Sequence, residues 1–347
     1  MKACVVLRHC PDDPLAAMEL REVASPEPSA GWVKVRVAAA SINMHDLWTL
    51  RGVGQDPADL PLILGCDAAG VVDAPGLIDE TGLLGEPGRE LHGREVMVLP
   101  VIADADAAAN ACLGGDETLD PHRALLSERH DGTFAEEVCV PLRCLVPKPA
   151  HLSMAEAACV PVAWGTAFRM LRRAGVRAGM TVLVQGATGG VNSAAIQLAG
   201  AMGARVWVTS RSAGKREVAE RLGAAATFET GARLPERVDV VVDNVGEATF
   251  AHSLRCLKPG GVVVTCGATT GPHADAELNR IFFQQLSVIG STACTRAELL
   301  ACGQLMENAD LRPLIDSEIR LSELPQALLR LDRGEVRGKM VVSSFTK

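Results

Sequence analysis

From residue 181 to residue 290 the chain repeats one pattern: a short β-branched run, a turn, then a stretch with helical spacing. Residues 181–185, 205–209, 238–243, 261–266 and 286–290 read as strands, and 191–202, 215–222 and 248–254 as helices between them. Strands this continuously apolar leave no face for water. They require a parallel sheet covered by helices on both sides, which a doubly wound α/β fold provides.

The first of these strands runs into Gly186-Ala187-Thr188-Gly189-Gly190-Val191-Asn192-Ser193 and then a helix. Glycines let the backbone approach a pyrophosphate, and the helix N-terminus supplies free N–H groups and a favourable dipole. Gly189, Gly190, Val191 and Asn192 are therefore expected to bind a dinucleotide. Asn192 stands where a third glycine is usual, which predicts a slightly wider helix–strand spacing and modestly weaker binding. The second strand runs into Ser210 and Arg211, with Lys215 one turn later. A hydroxyl and two cations suit a 2′-phosphate, where an acid would suit ribose hydroxyls, so NADP(H) is favoured over NAD(H). Asn244, Val245, Cys266, Gly267 and Ala268 follow two further strands, at the sheet edge where open α/β sheets bind ligands.

Residues 1–155 have a different texture. Residues 32–37 alternate apolar and polar, as a half-buried strand does, and 70–72 and 95–98 read similarly. Residues 104–129 are polar, weakly patterned and rich in Ala and Asp, and are expected to form a partly helical or mobile excursion. Ser153 and Glu156 make a capping-box signature where the texture changes. The expected organisation is a first domain over 1–155, a dinucleotide domain over 156–293, and a return of 294–347 to the first. In the return, 296–308 reads as a helix, and 318–321 and 339–342 as strands with no room for a crossover helix.

Composition excludes other classes. A chain of 347 residues, 48% apolar, can fill about two cores, yet no run reaches the eighteen or so apolar residues of a membrane span. The opening residues are too short an apolar run for a signal peptide, which implies a cytoplasmic protein. A net charge of −8 with no basic, aromatic-laced stripe argues against nucleic acid. Eleven cysteines without a Cys-x-x-Cys pair read as reduced, mostly buried thiols. No tyrosine is present, so none can donate a proton.

The chain resembles the medium-chain dehydrogenase/reductase superfamily, which includes zinc alcohol dehydrogenases and zinc-free quinone reductases. The resemblance spans essentially the whole length. Its marks are Asn43-Met44-His45-Asp46-Leu47-Trp48, Pro61-Leu62-Ile63-Leu64-Gly65-Cys66-Asp67-Ala68-Ala69-Gly70, Gly132-Thr133-Phe134-Ala135-Glu136, the turn from Gly186 to Asn192, Asp243-Asn244-Val245-Gly246, Pro259-Gly260-Gly261 and Gly338-Lys339. It implies a GroES-like, β-rich catalytic domain, a Rossmann domain and a cofactor in the cleft between them. It further implies that Thr166 contacts the nicotinamide amide, that Lys339 reaches the pyrophosphate, and that the chain forms a homodimer through the last Rossmann strand, near 282–291. Members with catalytic zinc use a Cys, the His of a Gly-His-Glu motif and a second Cys; the matching residues here are Asn43, Cys66 and Val162. The four-cysteine structural lobe retains only Cys112, with Asp106, Ala109 and Asp120 in its partners' places. Zinc requires three N/S ligands in a catalytic site and four in a structural one, so no zinc is expected in either.

Without a Lewis acid, a conjugated C=C is easier to reduce than an isolated ketone, because its carbonyl spreads the incoming charge. The protein then supplies orientation, hydrogen bonds to the enolate and exclusion of water. The expected activity is an NADPH-dependent, zinc-independent reduction of an enone, enoyl or quinone-type small molecule. Asn43 can donate an N–H to a substrate or cofactor oxygen, and His45 can supply a proton near neutral pH. Asp67 is a general acid or a salt-bridge partner, Cys66 and Trp48 line the pocket, and Asp46 reads as an N-cap of the turn after it. Two alternatives stay open. One is an alcohol or ketone oxidoreductase with a metal site rebuilt from His45, Cys66 and Asp67. The other is a cofactor-binding protein that has lost hydride transfer.

Overall fold

The computed structural model describes residues 1–103 and 115–345. Its contacts divide the chain into two units, residues 1–162 with 294–307 and 315–347, and residues 163–293 with 308–314.

The second unit holds the doubly wound sheet. Its six parallel strands lie in the order Ala226–Phe228, Arg205–Thr209, Thr181–Gln185, Val238–Asp243, Leu257–Thr265, Ser287–Gly290. Counted along the chain that order is 3-2-1-4-5-6, the arrangement of dinucleotide-binding sheets. Thr181–Gln185 is buried along its whole length, as expected of a strand covered on both faces. Leu183, Trp207, Val241, Phe250, Leu254 and Val263 pack into one core on this sheet. The edge strand Ala226–Phe228 carries no legible signal, being three half-buried residues long. The strand order reverses between Thr181–Gln185 and Val238–Asp243, so the chain leaves these two neighbours in opposite directions and opens a crevice at their carboxyl ends.

The first unit is β-rich. Trp32–Ser41 pairs antiparallel with Ala68–Val72, Glu137–Pro141 and Lys339–Ser344 in a seven-stranded sheet. Its alternation is the expected one, with Val33, Val35 and Val37 buried and Arg36 exposed. The last part of the chain returns to this unit, and Arg296–Asn308 forms the expected helix.

Two expectations are corrected. The units divide after Val162, not near 155, and 308–314 joins the second unit. The capping box does form, with Glu156 N–H donating to Ser153 Oγ at 3.2 Å and Ser153 N–H to Glu156 Oε2 at 2.8 Å. Its helix, Met154–Ala158, packs on Trp32–Ser41 and Ala68–Val72, so it belongs to the first unit. The tail strands are Ile315–Arg320 and Lys339–Ser344, and they run parallel with the helix Leu324–Asp332 between them. Residues 321–338 are long enough for that crossover. Pro325 starts the helix in its first turn, and Leu324, Ala327 and Leu328 bury its apolar face.

Of the 104–129 excursion, 104–114 falls outside the described residues, and Asp106, Ala109 and Cys112 with it. The remainder is regular: a turn at Glu117–Leu119 and a strand, Ala124–Leu125, paired with Val101–Ile102. Asp120 there accepts the N–H of His122 at 2.8 Å. No described helix is long and apolar enough to cross a membrane. The described cysteines are free thiols.

Candidate functional site

Two groups of residues carry chemistry, one in each unit. In the second, Gly186 turns the chain with φ +92°, where a side chain is strained and where an added Cβ would meet Asn192 Nδ2 at 2.8 Å. Helix Gly190–Ala201 follows, with exposed Gly189 as its N-cap. The first N–H groups of such a helix have no partner within it and suit a pyrophosphate.

Asn192 is bonded into this turn. Its amide lies beneath it, with Nδ2 donating to the carbonyls of Gln185 and Gly186, the latter at 3.0 Å. Its Oδ1 accepts Asn244 Nδ2 at 2.8 Å. The side chain expected to bind cofactor is therefore bonded within the protein. Asn244 and Val245 sit above a buried carboxylate, Asp243, which accepts the N–H groups of Val245 and Gly246 and the hydroxyls of Thr249 and Ser253. The next strand end, Cys266-Gly267-Ala268, runs into Thr269 and Thr270, which donate to the carbonyls of Asn244 and Val245. Burial pushes the Cys266 thiol up to about 12, so it stays protonated. Thr166 is buried in the helix Gly165–Arg173.

At the end of Arg205–Thr209, Arg211 is exposed, while Ser210 is buried and accepts the Ser212 N–H at 3.4 Å. The Lys215 backbone is held by the Ser212 hydroxyl, which caps helix Ala213–Arg221. Arg216 was not anticipated. Its Nη1 donates to the Ser210 carbonyl at 2.7 Å, which brings a third cation to this strand end. The sequence signal was available, because Arg216 follows Lys215 in the first turn of the same helix.

In the first unit, three separate segments converge on Asp67. Its Oδ2 accepts from Ser41 Oγ at 2.7 Å and Asn43 Nδ2 at 2.9 Å, and its Oδ1 from the Val162 N–H at 2.8 Å. Lys339 Nζ lies 3.6 Å away as the counter-ion. That ammonium also donates to the Ile42 carbonyl at 2.7 Å and to Asn43 Oδ1. Lys339 is thus a buried ion-pair partner within its unit. Asn43 departs from expectation. Its amide hydrogens are directed at Asp67 and the Ser41 carbonyl, so it has none to offer a substrate.

Asn43 is instead the N-cap of helix Met44–Arg51, and Asp46 accepts its backbone N–H at 2.7 Å as the third helical residue. Asp46 Oδ1 is buried with no hydrogen-bond partner. Burial drives its carboxyl up to about 7, against the pull of His45, the Asn43 N–H and Lys339. His45 Nε2 meets Glu128 Oε1 at 3.0 Å, and its Nδ1 meets Thr49 Oγ1 at 3.5 Å. Glu128 was missed in the sequence, since it lies in the weakly patterned stretch. It is anchored by the Leu125 N–H on Oε2 at 2.7 Å and by Gln55 on its carbonyl at 3.2 Å. Burial would raise the Glu128 carboxyl, but His45, the Leu125 N–H and Arg123 hold it below its ordinary value, as an anion. Cys66 is fully buried, and burial pushes its thiol well up. Trp48 is half-buried on the same helix.

The residues at the family's zinc positions do not fit that ion. Val162 has no donor atom, and the one ligating atom of Asn43, its amide oxygen, faces the Lys339 ammonium. The rebuilt set also differs from expectation. Asp67 is saturated elsewhere, whereas ligand atoms of His45, Asp46 and Cys66 lie within 4.8 Å of one another.

Comparison with known proteins agrees with this architecture. The family described as alcohol dehydrogenase GroES-like domain matches residues 29–150, and the one described as zinc-binding dehydrogenase matches residues 190–308. The acryloyl-coenzyme A reductase of Metallosphaera sedula is 31% identical, over 99% of this chain and 100% of its own. A crystal structure of an NAD-dependent alcohol dehydrogenase is 33% identical with a TM-score of 0.87, covering 98% of this chain and 99% of its own. A crotonyl-CoA carboxylase/reductase solved in complex with NADP is 25% identical with a TM-score of 0.86, covering 99% of this chain and 95% of its own. With its GroES-like and Rossmann units, the chain belongs to the medium-chain dehydrogenase/reductase superfamily and is an oxidoreductase of that type.

Proposed function

We propose that this chain is an NADPH-dependent reductase of activated C=C bonds that works without zinc, with enoyl thioesters as its substrate class. The observation that carries the reading is the contact between Lys339 Nζ and Asn43 Oδ1, which sets a cation at the atom a catalytic metal would need. The relatives named for acryloyl-CoA and crotonyl-CoA supply the substrate class, and the NADP held by one of them supports the cofactor. Arg211, Lys215 and Arg216 supply positive charge for a 2′-phosphate.

When bound, the dinucleotide supplies a hydride for the β-carbon, and a proton enters at the α-carbon. The N-terminus of helix Gly190–Ala201 holds the pyrophosphate. The Glu128 carboxylate holds His45 at Nε2 and orients its ring, and His45 carries the transferred proton at Nδ1, beside Thr49 Oγ1. Asp67, Lys339 and Asn43 hold the segment that presents His45. A homodimer through 282–291 belongs to the same reading. Phe282 and Phe283 are 64% and 78% exposed beside the edge strand Ser287–Gly290, whose open backbone groups suit pairing with a second copy. A monomer by light scattering at micromolar concentration would overturn that part.

A second reading, a metal-dependent alcohol or ketone oxidoreductase, is favoured by the His45–Asp46–Cys66 cluster and its unpartnered carboxylate oxygen. One assay separates the readings: NADPH oxidation against enoyl-CoA esters, enones, quinones, ketones and aldehydes, with and without chelator, on protein of known metal content. Enoyl-CoA turnover indifferent to chelator is the expected result. Stoichiometric zinc whose removal abolishes ketone turnover moves the assignment to the second reading. Tight NADPH binding with silence towards every substrate would mean that hydride transfer has been lost.

A further inference from the structure

Asn192 occupies the turn position where bare backbone is usual, at the point where the strand order reverses. We infer that Asn192 is a positioning residue that fixes which end of the Asn244 amide faces the dinucleotide, so that Asn244 receives donors of the nicotinamide half. This rests on the proposed binding of a nicotinamide dinucleotide at this turn.

The two hydrogens of Asn192 Nδ2 point at the Gln185 and Gly186 carbonyls. Flipping the amide would set Oδ1 against two carbonyl oxygens, so its orientation is determined. Oδ1 must then face Asn244, and it accepts Asn244 Nδ2 at 2.8 Å. That bond orients the second amide in turn. Its nitrogen is directed inward, and Oδ1 is left as its acceptor, with no donor to it among the described residues. The backbone beneath cannot easily swing away. The Val245 carbonyl accepts Thr270 N–H at 2.9 Å and Thr270 Oγ1 at 2.7 Å, and Asp243 Oδ1 accepts the Val245 N–H at 2.9 Å.

An outward acceptor attracts hydroxyl and N–H groups and repels phosphate oxygens. At this strand end, the donors of a dinucleotide are the nicotinamide-ribose hydroxyls and the carboxamide N–H. Its phosphates are acceptors only. Asn192 therefore does more than fill a glycine's place: it sets the polarity of a neighbouring recognition group without touching the ligand.

Calorimetric titration of the full chain with NADPH and with 2′,5′-ADP, which lacks the nicotinamide half, tests this. Asn244→Ala leaves the packing of the turn intact and Asn192→Gly restores the usual glycine. Each is expected to weaken NADPH about tenfold, the loss of roughly one hydrogen bond, with 2′,5′-ADP held within about twofold. The double variant should bind NADPH no more weakly than either single one. Equal loss of both ligands would mean that Asn192 merely holds the turn, and unchanged NADPH affinity would overturn the inference outright. If wild-type protein takes NADH instead, ADP replaces 2′,5′-ADP and the same ratio decides. Wild-type protein that binds neither dinucleotide overturns the cofactor reading and this inference together.

Discussion

Asp67 and Asp46 are both fully buried carboxylates of the first unit, and they are satisfied to opposite degrees. Asp67 takes two side-chain donors, one backbone N–H and an ammonium counter-ion. Asp46 takes one backbone N–H on Oδ2 and nothing on Oδ1. A buried charge is tolerated when it is paired and bonded, and otherwise it takes up its proton. Asp67 therefore reads as an anchor that ties together Ser41, Asn43, Val162 and Lys339. Asp46 reads as a titrating group whose state depends on pH or on a ligand. Within one site, structure and chemistry have been assigned to different carboxylates.

The strongest break of this comparison is Lys339→Met. It strands the Asp67 charge in the interior, which is expected to cost about 3–5 kcal/mol in denaturant unfolding. Adding Asp67→Leu should recover most of that loss, because the desolvated charge is then gone. If Lys339→Met unfolds like wild type, Asp67 is not a charged anchor.

The next effect concerns Asp46 and pH. Unfolded, its carboxyl titrates near the ordinary 3.8, and folded it titrates near 7. Below pH 4 both states carry the proton and Asp46 makes no difference to stability. Between about 4 and 7 the folded chain holds a proton that the unfolded chain has lost to solvent. Unfolding then releases it, so stability falls as pH rises through this window and levels off above it. The fall is about 2–4 kcal/mol. Asp46→Asn should remove that slope when unfolding is followed from pH 4 to 8 in the presence of chelator. A wild-type curve as flat as the variant's would place the Asp46 carboxyl near its ordinary value.

Function ranks third. His45→Gln is expected to lower kcat about a hundredfold in the enoyl-CoA assay, the lower end of the usual worth of one proton donor. Glu128→Gln should lower it less and leave substrate KM unchanged, since it orients His45 without facing the ligand. If His45→Gln retains full kcat, the proton comes from elsewhere.

Legibility in the sequence followed the range of the forces involved. Thr181–Gln185, Arg205–Thr209 and Val238–Asp243 are readable to the residue because burial on both faces makes their central positions apolar. The helix Leu324–Asp332 was missed because the two flanking strands were read as leaving no room for a crossover helix. Residue types at the site were legible, but their partners were not. Asp67 is held by segments separated by up to 95 residues through Val162, and further still through Lys339. His45 meets Glu128 across 83 residues, from a stretch without periodicity. No local pattern encodes such pairings. Asn192 reads in sequence only as a missing glycine, because the donor that gives it a role, Asn244, lies 52 residues on.

The smallest expected effect is also the one that sharpens the comparison most. Cys66 touches both networks, accepting Asn43 Nδ2 at 3.8 Å and lying within 4.8 Å of Asp46 and His45. Its burial keeps the thiol protonated, and a protonated thiol is a poor nucleophile and a poor metal ligand. Cys66→Ala should therefore cost only a small-residue cavity term, about 1 kcal/mol or less, and leave kcat within about twofold. In native wild-type protein at pH 8, iodoacetamide should label Cys66 more slowly than half-buried Cys10. If Cys66→Ala instead loses a bound metal and its activity together, Cys66 is a thiolate ligand. The vacant oxygen of Asp46 is then a ligand position, and the difference between the two carboxylates is that one serves the fold and the other an ion.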